Sequence, residues 1–445
     1  MRIVSILILL IMSLNAFNLK ANEQTVDFNN YNVIGSPITY EEYVDMIRIA
    51  VISQPDYRSL IARKSSYNFD LRYERFQRLP KLNSSVRNDR IIDRKIDDFN
   101  SIRKRQDDAT DFILELNQPI YLGGSINKRV DSAIKQKRIG SLELQKQASE
   151  LTIKANQIFL DLLKYFILQE KVDNSINEIK TILSNVESRI QAGFSNITEK
   201  ALVQIRLNQL LISQAEINAQ LSRSKETFER FFNTSLDVYL IPSLKIENFT
   251  DFKGNISRKY NERDSYDVLI SEMMYQQEKN NIDLARSEYR PRVGINIRYI
   301  QYDFDEDFEE NDIRGGVTFS LPIFDFGRGS KINSAKSRAE EYKWNFDSEV
   351  RDYLIVRSEV ENRLKSISQS INEIRSTVEN TRQQKDILIN RMSLSEFNGI
   401  NLSEIILQDV SNTTRLLENE IQLYIDDLTL SHINSSLLNR FKMEL

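Results

Sequence analysis

Two long helical patterns, each preceded by a short junction, constrain this fold more than any other feature. The first pattern runs from Ser125 to about Gln191, which is roughly 100 Å of helix, and the second follows Gly327. The junctions are Gln118 to Gly124 (QPIYLGG) and Leu321 to Arg328 (LPIFDFGR). Proline cannot donate to a strand ladder and glycine permits a sharp turn, so each junction predicts a strand end followed by a helix start. The predicted junction residues are Pro119, Gly123, Gly124, Pro322 and Gly327.

The same order of elements occurs twice along the chain. Pro291 minus Pro80 is 211 positions, while Pro322 minus Pro119 is 203. The first half therefore carries about eight extra residues in the loop between its strands, where insertions are tolerated. We predict a first repeat at 22–232 (helix, two strands, long helix, return helix), a linker at 233–261 and a second repeat at 262–445.

The N-terminus is typical of an export signal. Arg2 is followed by an apolar run over Ile3 to Leu14, and Ala21 offers a cleavage site, so residues 1–21 are predicted to be a signal peptide. A buried core helix is the alternative, but a polar segment follows directly. Later stretches fall short of the roughly 18 apolar residues of a membrane helix, so any membrane-spanning part must consist of strands.

Composition excludes several classes of site. The 445 residues include no cysteine and one histidine, His432, which excludes disulfides, thiolate metal sites and a histidine cluster. Sixty basic and 64 acidic residues nearly balance, so no nucleic-acid partner is predicted. The segment Gly327 to Lys331 lacks the spacing of a phosphate loop. We predict no catalytic residue, no metal site and no cofactor, and therefore not an enzyme.

Four segments alternate apolar with polar residues, at 82–90, 110–120, 293–300 and 317–321, with charged loops at Ile91 to Ala109 and Asp303 to Asp312. A soluble sheet would need a layer to cover its apolar face, but the narrow helical seams, such as that of the return helix at 198–231, suit packing between helices. In a membrane barrel, Ile297 would face lipid while Asn296 and Arg298 face water. Four strands cannot close a channel and open edges do not persist in lipid, so several copies are predicted to contribute.

Two turns are predicted to reverse the long helices, one at Ala192 to Asn196 and one at Phe397-Asn398-Gly399. The second return helix is predicted from Leu402 to about Leu438. Glu199 lies six residues after Gly193, and Glu404 lies six residues after Asn398. An acid in the first turn of a helix is favourable, and this ordinary role is expected for both glutamates.

Taken together, these residues resemble the TolC-like outer membrane factor family, the exit ducts of bacterial tripartite efflux pumps and type I secretion systems. The resemblance covers roughly residues 40 to 440. It rests on the duplicated junctions, the prolines before the upstream strands (RLPKL and YRPRV) and the turns QAGFSNITEKAL and EFNGINLSEIIL. It implies a mainly α fold with a membrane β-barrel. Long antiparallel helices would form a periplasmic α-barrel, and four β-strands per protomer would contribute to a trimeric 12-stranded barrel.

The resemblance also implies a function, that of an outer-membrane exit channel of a tripartite export system, for either type I protein secretion or multidrug efflux. The implied location is the outer membrane of a Gram-negative bacterium, with a long periplasmic extension. The implied partners are two further copies in a homotrimer, outer membrane lipid, a periplasmic membrane-fusion adaptor and an inner-membrane transporter of ABC or RND type.

The tip of the helices is implied to be closed at rest and to carry the functional residues. Glu404 matches the first position of the acids that ring the pore in many members, and Glu199 is the second candidate. Leu407 replaces a further acid, and Ile400 stands where some members have a base that locks the tip. The turn residues implied to contact the adaptor are Gly193, Phe194, Asn398 and Gly399.

An exported coiled-coil protein, either a periplasmic adaptor or a structural fibre, is the alternative. A pump adaptor would have one helical hairpin between domains rich in glycine and valine, whereas this chain has two predicted hairpins and only 12 glycines. A fibre would not need the alternating strand pairs.

Overall fold

The computed structural model describes residues 40–90, 108–234, 264–302, 310–391 and 398–443. The predicted signal peptide 1–21, nearly all of the predicted linker and most of the two charged loops lie outside these residues. Within the described ranges there are eight helices and four strands. In chain order they are α1 (Tyr40–Ser53), α2 (Pro55–Phe76), β1 (Lys81–Arg90), β2 (Asp108–Leu122), α3 (Ser125–Gln191), α4 (Ile197–Phe232), α5 (Tyr266–Ser287), β3 (Arg292–Tyr302), β4 (Glu310–Ser320), α6 (Arg328–Arg391), α7 (Gly399–Ile433) and α8 (Leu437–Arg440).

Helix α3 is the longest element, with 67 residues, and it runs without a break from the sheet to the far turn. Its one internal glycine, Gly140, lies beneath the ring of Tyr67 on α2. A Cβ at this position would lie 2.5 Å from Tyr67 Cδ2, closer than carbon atoms can approach. The glycine therefore lets α2 cross close to α3, and this packing need explains a residue that otherwise weakens a helix.

Two large apolar clusters and a small third one hold the described helices together. The first lies midway along the helices, where α1, α3, α4 and α7 meet around Tyr43, Phe159 and the stacked rings of Phe228 and Phe232. The second lies nearer the far turn. There the predicted heptad residues Val203, Leu207 and Leu210 of α4 are buried against α3 and α7. Burial of this narrow seam stabilises the long helices, because each of them packs only against other helices.

The four strands form one antiparallel sheet in the order β1-β2-β3-β4. The two hairpins have the same register: Lys81 is paired with Asn117 in the first, and Arg292 with Ser320 in the second. The differences between these positions, 292 minus 81 and 320 minus 117, are the 211 and 203 found in the sequence. The predicted difference of eight residues between the strand loops is therefore confirmed.

The two faces of the sheet differ sharply in polarity, as the alternation predicts. Ile297 lies on the apolar face, and Asn296 lies on the opposite face, where its amide donates to Asn117 Oδ1 at 2.6 Å. On that polar face Arg298 also pairs with Glu115 at 3.1 Å. The apolar face carries Leu82, Val86, Phe112, Leu114, Leu116, Val293, Ile295, Ile297, Tyr299, Ile313, Val317 and Phe319.

Several predicted boundaries are wrong. Strand β4 begins at Glu310, within the predicted acidic loop, because residues 310–312 pair with the end of β3. Helix α7 begins at Gly399 rather than Leu402, and it ends at Ile433 rather than near Leu438. Ser435, with φ of 51°, then lies in a turn before α8.

The predicted junction residues behave differently in the two halves. Pro119 does not end β2, because the strand continues to Leu122 across an irregularity between Pro119 and Tyr121. Gly123 and Gly124 have positive φ of 65° and 86°, and a Cβ on Gly123 would lie 2.3 Å from the Ser287 carbonyl oxygen. Only glycine fits that turn. In the second half, Pro322 and Gly327 lie between β4 and α6, as predicted.

Candidate functional site

The candidate site is the tip, where α3 turns into α4 and α7 begins. Gly193 ends the first long helix with φ of 75°, and its amide donates to the Ile190 carbonyl at 3.0 Å. No side chain crowds it, so its conformation alone requires glycine there. Phe194 follows with 75% of its surface exposed. Two predicted residues of the first turn thus lie at the outermost end of the hairpin.

Both return helices begin with an asparagine cap. Asn196 Oδ1 accepts from the Glu199 amide at 2.8 Å, and Asn398 Oδ1 accepts from the Asn401 amide at 3.1 Å. Asparagine is among the best residues at this position because its side chain satisfies an unpaired amide of the first turn. The second predicted turn is corrected at Gly399 alone, since Phe397 lies outside the described residues. Gly399 is the first residue of α7, because Asn398 caps the helix directly before it.

Glu199 connects the two tips. Its Oε1 accepts from the Gly399 amide at 2.9 Å, and its other oxygen accepts from the Ser195 hydroxyl. Gly399 is buried, and a Cβ on it would lie 2.9 Å from Val186 Cγ2 and 3.1 Å from Glu199 Oε1. A carboxylate at a helix start is favoured by the helix dipole. Glu199 thus stabilises the starts of two helices, its own α4 and the neighbouring α7.

Glu404 is paired within its own chain. Its Oε2 lies 2.6 Å from Arg206 Nη2, and both side chains stay partly exposed. The sequence reasoning missed Arg206, although a signal was available. Arg206 lies seven residues after Glu199, and two turns of helix place both on the side of α4 that faces α7. The two predicted acids are therefore brought to the same α4–α7 contact, each with a different partner.

A charged cluster lies deeper between the hairpins. Asp409 of α7 has a side chain only 2% exposed, and it contacts Lys171 of α3 at 2.5 Å and Lys385 of α6 at 3.7 Å. Lys385 also contacts Glu178 of α3 at 3.1 Å. A buried carboxylate is costly unless it is paired, so Asp409 ties three helices together at this level. Residues more than 200 positions apart form this cluster, and no local pattern predicts it.

The second hairpin is held by two further pairs of similar design. Arg363 of α6 makes two bonds to Asp426 of α7, at 2.6 and 2.8 Å. Arg375 of α6 contacts Glu420 of α7 at 2.7 Å. Both acids are buried while the arginines reach out to solvent. Acids on α7 and bases on its neighbours therefore set the register of this helix along its length.

The charged side chains described at the tip are paired with one another or with polar groups. Its carboxylates are engaged by an amide, a hydroxyl or a guanidinium, and Lys200 is paired with Glu187 at 2.8 Å. Within the described part of the chain, no helix combines the length and the apolar character needed to cross a membrane.

Comparison with known proteins gives a consistent result. No protein-family model matches this sequence, and no curated protein matches it. Among solved structures, the outer membrane protein VceC from Vibrio cholerae is similar with a TM-score of 0.71 at 13% identity, covering 88% of this chain and 96% of that chain. The CmeC outer membrane channel of Campylobacter jejuni has a TM-score of 0.71 at 14% identity, covering 91% of this chain and 89% of that chain. The open MtrE outer membrane channel of Neisseria gonorrhoeae has a TM-score of 0.73 at 11% identity, covering 88% of this chain and 89% of that chain.

At such low identities a likeness establishes the fold, and here it extends over nearly nine-tenths of the chain or more in each comparison. The element order described above matches what the resemblance in the sequence implied. The chain therefore has the fold of the TolC-like outer membrane channels.

Proposed function

We propose that this protein is the exit channel of a tripartite export system in the outer membrane of a Gram-negative bacterium. Three copies form a passive duct, which a periplasmic membrane-fusion adaptor and an inner-membrane transporter open. The system is either type I protein secretion or multidrug efflux. The neighbours in structure support this proposal, because they are outer membrane channels.

The sheet is the observation that carries the proposal. Its polar face has charged side chains in ion pairs, such as Glu115 with Arg298, while Val317 and Phe319 on the other face are 73% and 67% exposed. Among the described residues, no helix lies over this apolar face. Lipid is the environment that accepts such a face, and water in a lumen accepts the other.

The open edges of the sheet favour an assembly over a single chain. Strands β1 and β4 each have a neighbour on one side only. Unpaired backbone groups cannot be left in lipid, so the edges must meet other strands and close the sheet. Three copies of a four-stranded sheet give a barrel of twelve strands, which is wide enough for a duct.

The helices favour a duct over the alternative of an adaptor or a fibre. Two long hairpins, α3–α4 and α6–α7, run from the sheet side of the molecule to the tip. The helices of these hairpins pack side by side along narrow buried seams and so form a segment of wall. Further copies of the chain complete this wall into a tube. An adaptor or fibre built from these hairpins has no need of a sheet with an exposed apolar face.

The test is the mass and conductance of the purified full chain. Light scattering with detergent correction should give three copies per particle, and planar bilayers should show ion conductance. Extraction from membranes should require detergent. A folded monomer that conducts ions would contradict the trimer, and a water-extractable trimer without conductance would favour the fibre.

A further inference from the structure

The internal duplication of the sheet contains information about the contact between copies. The hairpin β1–β2 is repeated as β3–β4 at offsets of 211 and 203, and their registers coincide. The helices that precede the two hairpins show the same offset, because α5 (Tyr266–Ser287) begins and ends 211 positions after α2 (Pro55–Phe76). The two hairpins are therefore equivalent units, placed side by side in one chain.

The junction between these units is seen once, between β2 and β3. Asn117 is paired with Asn296, Leu116 with Ile297, and the ladder continues beyond Pro119. After an irregularity at Pro119, Tyr121 pairs with Val293 and Leu122 with Arg292. When equivalent units form a closed ring, each unit meets the next in the same way.

We propose that β4 pairs with β1 of a second copy in the register that the β2–β3 pairing defines. This inference rests on the proposed function, since it requires the trimer. Adding 203 to a β2 position gives the equivalent position at β4, and subtracting 211 from its β3 partner gives the equivalent position in β1. Each β2–β3 pair thus defines one β4–β1 pair between copies. Ser320 then lies opposite Ser85 of the second copy, where Asn117 and Asn296 pair within the chain.

The paired residues are chemically compatible in this register. Phe319 meets Val86, and Phe324 meets Leu82, and all four side chains are exposed in the single chain. At the end of the ladder, Asp325 meets Lys81, an acid opposite a base. Aromatic residues opposite branched aliphatic ones, and opposite charges, are favourable pairs across strands.

The same register accounts for an asymmetry between the two junctions. Strand β2 extends past its proline to Leu122, whereas β4 stops at Ser320 and leaves Ile323 and Phe324 91% and 74% exposed. The first junction has β3 beside it, but the second lies at an edge. In the assembly, residues 321–325 extend β4 along β1 of the next copy and pass Pro322 with the irregularity seen at Pro119.

Cysteine cross-linking tests this register directly, because the natural chain has no cysteine. The double variant Ser85→Cys/Ser320→Cys should form disulfides between chains, since directly opposite Cα atoms lie about 4.5–5.5 Å apart in an antiparallel pair. A non-reducing denaturing gel should show a three-chain band that returns to one chain with reductant. If that variant folds poorly, Leu82→Cys/Phe324→Cys is predicted to give the same band.

Two controls calibrate the result. Asn117→Cys/Asn296→Cys reproduces the pairing within one chain and should oxidise without forming larger species. Ser85→Cys/Thr318→Cys keeps the same face but shifts the register by two residues, which separates the sulfurs beyond easy reach, so its yield should be several-fold lower.

The outcomes distinguish an error in the proposed register from an error in the proposed trimer. Stronger cross-linking of the Thr318 pair than of the Ser320 pair would overturn the proposed register while the trimer stands. A three-chain mass in light scattering with no cross-link in any pair between chains, while the Asn117–Asn296 control oxidises, would show that β4 and β1 do not meet. A single-chain mass would overturn the proposed function itself.

Discussion

Glu404 and Arg206 form an ion pair at the tip. The acid that the resemblance implies to ring the pore therefore carries its own counter-charge. In a trimer, three such pairs would stand around the axis in a narrow space. Fields are focused between low-dielectric walls, so even partly compensated charges at a constriction influence ion passage.

We expect Glu404→Gln and Arg206→Gln to change ion selectivity in opposite directions. Loss of the acid should lower the preference for cations, and loss of the base should raise it, because each variant leaves its partner uncompensated. Reversal potentials across a salt gradient in planar bilayers measure the preference. The fold should survive both changes, since an exposed ion pair contributes about 0.2–1 kcal/mol.

Glu187→Gln is the matched control, because Glu187 is also a partly exposed acid in an ion pair near the tip, with Lys200 at 2.8 Å. Glu199 is unsuitable for that purpose, since its carboxylate binds the start of α7. A shift of equal size in the Glu187 and Glu404 variants would mean that general charge loss, not a ring of Glu404, controls selectivity.

At the scale of elements, the two faces of each strand should tolerate charge very differently. Ile297→Arg places a guanidinium on the lipid side and should cost about 2–4 kcal/mol near the membrane midplane. Asn296→Arg, one residue away, places it on the polar face near Glu115, where it should be accepted. The fraction of trimer that survives heating in detergent measures the difference. Equal losses in both variants would contradict a membrane-facing apolar side.

The elements also show where sequence reasoning succeeds. The alternation of strand residues predicts the strands and their two faces, and the spacing of Val203, Leu207 and Leu210 predicts a buried helix seam, because local periodicity is enough to select them. The acidic start of β4 was missed, since Glu310 to Asp312 have the composition of a loop and become a strand only through pairing with β3.

The tip shows where sequence reasoning cannot succeed. The first turn and the positions of Glu199 and Glu404 are visible in the sequence, but Gly399 and Arg206, which these acids contact, lie on other helices. Asp409 is buried only because Lys171 and Lys385 arrive from α3 and α6. Likewise, the need for glycine at 399 arises from Val186 and Glu199 in the other hairpin, not from a turn.

For the molecule as a whole, the one histidine of the chain contributes to the dependence of stability on mildly acidic pH. His432 is partly buried where α7 ends, with Nδ1 2.8 Å from Ser149 Oγ. Burial lowers its pKa from 6.5 to about 4, with Asp267 opposing this shift and Lys146 adding to it. Glu349 and Asp352 line the same small cavity, and burial raises the pKa of Glu349.

The sign of the effect follows from proton binding. Between pH 6.5 and about 4 the unfolded chain binds a proton at His432 and the folded chain does not, so the contribution of His432 to stability falls as pH falls. The full loss is roughly 3 kcal/mol, at about 1.4 kcal/mol per pH unit. His432→Gln keeps a polar partner for Ser149 and should remove this component. Urea midpoints of both proteins across this range measure it, and parallel curves would contradict the assignment.

One unbroken helix joins the sheet to the tip, and this has a mechanical consequence. Helix α3 has 67 residues and no internal break, so it acts as a lever arm of about 100 Å. Tilting such an arm by one degree about its sheet end moves the far end by about 1.7 Å, which is enough to break a hydrogen bond. In the proposed channel, modest pivoting near the sheet would be amplified at the tip. An opening of several ångströms there would need only a few degrees of rotation at the base.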